Sequence, residues 1–85
     1  TRGCVLVIGA REANEVLLAH LSHVGYQWVL TEDLGELKRL AETSRPDAVL
    51  VSSTGKRAIE ALEAVRREPL LREARVLAAY SPITA

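Results

Sequence analysis

Ser52 and Ser53 close an unbroken apolar run, Ala48-Val49-Leu50-Val51, and lead into Thr54, Gly55 and Lys56. Hydroxyls, a glycine and a lysine between a strand and a helix are the ingredients of a phosphate-binding loop, because free N–H groups at a helix N-terminus attract anions. The full motif G-x-x-x-x-G-K-[ST] fails at both ends, with Leu50 in place of the first glycine and Arg57 in place of the Ser/Thr. The pattern therefore predicts an N-cap at Thr54 and a turn at Gly55, leaving a weak anion preference over Ser53, Thr54, Gly55 and Lys56. Gly9 ends the other apolar run, Cys4-Val5-Leu6-Val7-Ile8. The dinucleotide fingerprint G-x-G-x-x-G reads there Gly9-Ala10-Arg11-Glu12-Ala13-Asn14, one glycine of three, which predicts a plain strand-to-helix turn.

The remaining reactive side chains form no constellation. His20 and His23 lie one turn apart, yet no Cys or carboxylate is spaced to complete a metal set, so no metal is expected. Cys4 opens an apolar strand, the setting of a buried, inert thiol. Ser52 and Ser53 lack the G-x-S-x-G elbow of a hydrolase, so the chain is read as no enzyme and without a cofactor. Lys38-Arg39, Lys56-Arg57 and Arg66-Arg67 alternate with Glu36, Glu42, Glu60, Glu63 and Glu68 as solvated helix faces. With 11 basic and 11 acidic residues the net charge is zero, which gives no case for nucleic acid or an anionic membrane as partner. No apolar run approaches the ~20 residues of a membrane span. A lone cysteine excludes an internal disulfide and fits a reducing, cytoplasmic setting.

These residues need a scaffold, and the pattern supplies one of alternating strands and helices within a single domain over residues 1–85. After the first strand, Ala13, Val16, Leu17, Leu21 and Val24 make one apolar helical face, closed by Gly25 as a C-cap. Gln27–Thr31 alternates as a more exposed strand. Asp33, with Glu36 three residues on, predicts a capping box for a helix whose buried stripe is Leu34, Leu37, Leu40 and Ala41. Pro46 stops that helix, and Asp47 starts a strand expected to be buried on both faces. Ile59, Leu62 and Val65 face inward on a third helix, with Ala58 and Ala61 beside them. Leu70 to Arg75 is a connector, Arg75 to Tyr80 a fourth strand, and Ser81 to Ala85 a loop. The order β-α-β-α-β-α-β predicts a parallel α/β sheet in order 2-1-3-4, with both continuous apolar strands central.

This layout resembles the receiver domain of two-component response regulators from about Cys4 to Ser81. The likeness rests on Val5-Leu6-Val7-Ile8, Val24-Gly25-Tyr26, Arg45-Pro46-Asp47-Ala48-Val49-Leu50-Val51, and Val65-Arg66-Arg67-Glu68-Pro69-Leu70-Leu71-Arg72 leading into Val76-Leu77. It implies a flavodoxin-like three-layer sandwich, truncated before the last helix-strand-helix portion. It also implies that Gly9 and Ala10 stand where a receiver has its acidic metal-binding pair. Ser52 stands for the phosphate-accepting Asp, and Tyr80 for the switch Ser/Thr, or Ser81 with a one-residue slip. A magnesium site needs hard oxygen ligands, and these positions offer no carboxylate.

The expectation is thus a pseudo-receiver, a phosphorylation-independent interaction module in signal transduction. The competing expectation is a small anion- or nucleotide-binding domain using the loop after the third strand. The chain does not begin with Met and reads as one part of a longer protein. Its fourth strand, Arg75, Val76, Leu77, Ala78, Ala79 and Tyr80, should present an open edge to a partner: a second copy, pairing into a homodimer, or another part of the parent chain.

Overall fold

A computed structural model describes residues 3–53 and 55–78. Four parallel strands, β1 (Cys4–Ile8), β2 (Gln27–Thr31), β3 (Ala48–Val51) and β4 (Arg75–Ala78), form one sheet in the order β2-β1-β3-β4. Helices α1 (Arg11–His23), α2 (Leu37–Ser44) and α3 (Lys56–Arg67) make the crossovers. This is the parallel α/β sheet in order 2-1-3-4 expected from the alternation of elements, and it is consistent with the truncated flavodoxin-like sandwich that the resemblance implied. β1 pairs with β2 from Cys4↔Gln27 to Ile8↔Thr31 and with β3 from Val5↔Ala48 to Ile8↔Val51. β3 pairs with β4 from Ala48↔Arg75 to Val51↔Ala78.

The helix ends follow local chemistry. Gly25, at φ 95°, ends α1 in a Schellman turn: its N–H donates to Ser22 O (3.2 Å) and that of Tyr26 to Leu21 O (2.9 Å). Only a residue without Cβ adopts that conformation cheaply. The predicted capping box is replaced by two local devices. Asp33 Oδ1 accepts from Gly35 N–H at 2.9 Å and caps a 3₁₀ turn, Leu34–Glu36, that runs into α2. Glu36 pairs forward with Arg39 rather than back to Asp33, whose N–H donates to Thr31 Oγ1. α2 ends at Ser44 because Pro46 disfavours a helical residue before it. Arg45 turns left-handed instead, at φ 42°. The helical part of α3 begins at Lys56 with Gly55 as its N-cap, at φ 63°. The predicted cap, Thr54, lies outside the described residues.

Two apolar clusters flank the sheet. Leu6, Ile8, Val49 and Val51 face α2 and α3, where Leu37, Ala41, Ala61 and Val65 are buried with them. Val5 and Val7 face α1 and Leu18. Fully burying one such Leu or Val contributes about 1.5–3 kcal/mol. Four expectations need refining. On α1 the buried positions are Asn14 and Leu18, with Leu17 and Leu21 beside them, and Val16 is 85% exposed. On α3, Ala61 and Val65 are buried while Ile59 points outward. The connector is ordered: Pro69–Leu71 forms a 3₁₀ turn whose Leu71 is fully buried, its start capped by Glu68, whose carboxylate accepts from Leu70 N–H. β3 is also not buried on both faces. Val49 and Val51 are buried but Ala48 and Leu50 only half-buried, because α1 is the sole helix on their side among the described residues.

Candidate functional site

The strand order fixes where an open crevice must form. From β1 the chain leaves to α1 on one face, and from β3 to α3 on the other. The loops Gly9–Ala10 and Ser52–Ser53 therefore part above the carboxyl ends of the two central strands, the place where open α/β sheets bind ligands. A cleft of about 980 Å³ lies there, lined by both loops and by side chains of α1, α3 and the segment after β2.

Gly9 and Ser52 are packed against each other. A β-carbon on Gly9 would fall far inside contact distance of Ser52 Oγ and 3.0 Å from Asn14 Nδ2. The serine hydroxyl fills the space that a side chain at position 9 would need, so a larger residue there must turn Ser52 Oγ away and shift Asn14. Ser52 Oγ turns back to donate to Ile8 O at 3.4 Å, and Ser52 N–H donates to the same carbonyl at 3.0 Å. Asn14, 3% exposed, donates from Nδ2 to Ala10 O at 2.6 Å and so ties the start of α1 to the cleft floor.

Charge enters this cleft only at its rim. Glu32, just after β2, and Arg57 and Glu60 on α3 line it and are exposed. None of the three pairs with another, since the single salt bridge among the described residues is Glu36–Arg39. No group of three His, Cys, Asp or Glu side chains among the described residues is arranged to hold a metal ion. A serine hydroxyl bonded to a backbone carbonyl and without a neighbouring base is a poor nucleophile.

The sequence-derived sites are scattered by the fold. Gly9, Ala10, Ser52 and Ser53 meet in the cleft, whereas Tyr80 and Ser81 lie outside the described residues. Gly55 and Lys56 are exposed at the start of α3, and the cation lining the cleft is Arg57 instead. His20 and His23 are exposed on the last turn of α1. On β4, Arg75 is exposed, Val76 is 41% and Leu77 52% exposed, and the neighbouring Ala79 and Tyr80 are outside the described residues. Sequence reasoning missed Asn14, Glu32, Arg57 and Glu60. The signal for Asn14 was its place four residues after Ala10, the spacing of a side-chain bond back to a helix start.

Cys4 lies at the opposite end of the sheet. Its thiol pKa is raised, first by burial and second by the nearby Asp47 carboxylate, which opposes a thiolate and keeps it unreactive. Comparison with family models, curated proteins and solved structures gave no match.

Proposed function

We propose that this chain is a receiver-like interaction module that works without phosphorylation, as part of a cytoplasmic signalling protein, and catalyses no reaction. The observation carrying this reading is the close packing of Gly9 against Ser52. At the end of the two central strands, where phosphoryl chemistry would need an acidic pair and an acceptor carboxylate, one position is a glycine with the Ser52 hydroxyl in the space a side chain would take. The other spends its hydroxyl on a backbone carbonyl. The contact surface is β4, whose exposed Val76 and Leu77 lie at one end of the sheet order. Its partner is a protein: a second copy, or another part of the same polypeptide. Edges of this kind template further pairing.

The reading is tested by incubating the chain with acetyl phosphate and Mg²⁺ and measuring intact mass. The unmodified mass is expected, and a stoichiometric, hydroxylamine-labile phosphate adduct would overturn it. An anion-binding reading draws on Ser53, Gly55, Lys56 and the cleft-lining Arg57, but Glu32 and Glu60 share that rim and oppose an anion. Amide shifts on phosphate titration that are lost in Arg57→Ala would favour it.

A further inference from the structure

The two edges of the sheet differ in what they offer a partner. β4 opens on Arg75 and leads into residues outside those described. β2 is the terminal strand at the far edge, and no described element pairs with its outer side. Gln27–Thr31 carries no charge, no proline and no bulge, the devices that keep a free edge from pairing. Half of its backbone is already bonded. Gln27 N–H donates to Gly3 O at 2.9 Å and Thr31 O accepts from Gly9 N–H at 3.0 Å, so residues 27, 29 and 31 turn toward β1. Alternation along the strand then turns the N–H and C=O groups of Trp28 and Leu30 outward.

Those four groups complement themselves. A two-fold axis through Val29, normal to the sheet, sets Trp28 opposite Leu30 of a second copy, and Leu30 opposite its Trp28. Each such pair exchanges two N–H···O bonds, and Val29 meets its own copy at the close position between them. The side chains agree with this register. Trp28 and Leu30 both face α1 and are half-buried, so an aromatic and an aliphatic side chain stand across from each other twice. Val29, half-buried on the other face, stands across from a β-branched copy of itself.

The flanking layers accept the same axis. α1 packs over β1 and β2, and strands ~4.8 Å apart then bring the two α1 helices to about 10 Å, the spacing of packed helices. Leu17 lines the cleft beside Leu50, so the other side of α1, with Glu15, Ala19 and Ser22, looks out over β2. There Ser22 Oγ accepts from Trp28 Nε1 at 2.9 Å. Glu15, Ala19 and Ser22 are all exposed, and antiparallel across the axis Glu15 of one helix meets Ser22 of the other beside the small Ala19. On the opposite face Thr43 of α2 lines a hollow with Trp28 and Val29. We infer that a second copy of this chain adds to the β2 edge, joining the two sheets into one continuous sheet with α1 beside α1 and α2 beside α2. A five-residue strand is ~17 Å long, and three layers of ~10 Å give about 1,000 Å² over both partners, the size of a weak, concentration-dependent dimer. The inference rests on the reading of this chain as an interaction module and gives the second copy an edge separate from β4.

Light scattering over a dilution series, with amide exchange at the same concentrations and circular dichroism as the folding control, tests it. A dimer is expected at high concentration, and the Trp28 and Leu30 amides should exchange faster as it dissociates. Ala19→Glu should raise the dissociation constant about tenfold or more. Ala19 is already solvated in the monomer, so this change does not threaten folding. Val16→Glu, on the outermost line of the same helix, and Leu77→Lys, at the far edge, should leave the dimer unchanged. A dimer lost with Leu77→Lys but kept with Ala19→Glu would overturn the inference in favour of the β4 edge and leave the proposed function standing. A chain that stays monomeric at millimolar concentration would overturn it as well, and slow exchange of Trp28 and Leu30 in that monomer would identify the chain's own residues as the cover of β2. The interaction reading itself fails separately, on a phosphate adduct.

Discussion

At the amino end of the sheet Asp47 joins three strands. Its Oδ2 accepts from Cys4 N–H at 3.0 Å, its N–H donates to Cys4 O at 2.8 Å, and its carbonyl accepts from Arg75 N–H at 3.1 Å. At the carboxyl end the same two central strands are joined without a carboxylate. Ser52 N–H donates to Ile8 O and Gly9 N–H to Thr31 O, each at 3.0 Å, and the Ser52 hydroxyl points back to the Ile8 carbonyl. The difference teaches that a carboxylate joins the central strands at one end and that backbone and a hydroxyl join them at the other. The acidic side chain adjoining β1 and β3 is committed to holding strands at the amino end. At the other end the floor of the cleft is made by Gly9 and the Ser52 hydroxyl, with no carboxylate between the two central strands.

Substitutions at the two ends should separate these roles. Asp47→Ala removes a charge-assisted acceptor from Cys4 N–H and should cost about 2 kcal/mol in urea unfolding. Asp47→Asn, which keeps an acceptor oxygen, should cost less. Equal losses would show that charge, not the hydrogen bond, joins the amino end. Gly9→Ala should cost about 1 kcal/mol, because Ser52 must give up its bond to Ile8 O and Asn14 must shift. Adding Ser52→Ala should recover part of that loss, a coupling visible in a double-mutant cycle. Strictly additive losses would mean that the two residues do not compete for one space.

The smallest effect concerns Cys4. Burial first, and Asp47 second, keep its proton on to a higher pH in the folded chain than in the unfolded one. The stability linked to it is therefore full below the ordinary thiol range and fades as pH rises through the folded value. Alkylation by iodoacetamide at mildly alkaline pH should be slower than for a free thiol. Asp47→Asn should speed it only in part, since burial is the larger cause.

The sheet was legible because its signals were redundant: Cys4–Ile8 and Ala48–Val51 are continuous apolar runs, and Gly25 and Pro46 mark helix ends that the backbone obeys. The phase of α1 was not, since Val16, Leu17 and Leu18 are adjacent and periodicity alone cannot choose among three consecutive apolar residues. A buried Asn14 decides it, and a polar residue enters a core only where a local bond, here to Ala10 O, satisfies it. Ile59 misled because it lies three residues before Leu62, at the edge of the inward stripe that Ala58, Ala61, Leu62 and Val65 define. In the cleft, Gly9 and Ser52 could be matched by resemblance, yet their competition for one space is a tertiary fact. Glu32, Arg57 and Glu60 come together only through the crossover geometry.

The most direct test of a neutral carboxyl end is a Mg²⁺ titration followed by amide chemical shifts. Gly9, Ala10, Ser52 and Ser53 should show no saturable, clustered response, and any change should be diffuse and screened by added salt. A saturating set of shifts confined to these four residues, abolished by Glu32→Gln, would contradict the account by showing that the rim carboxylate restores a metal site the central strands lack.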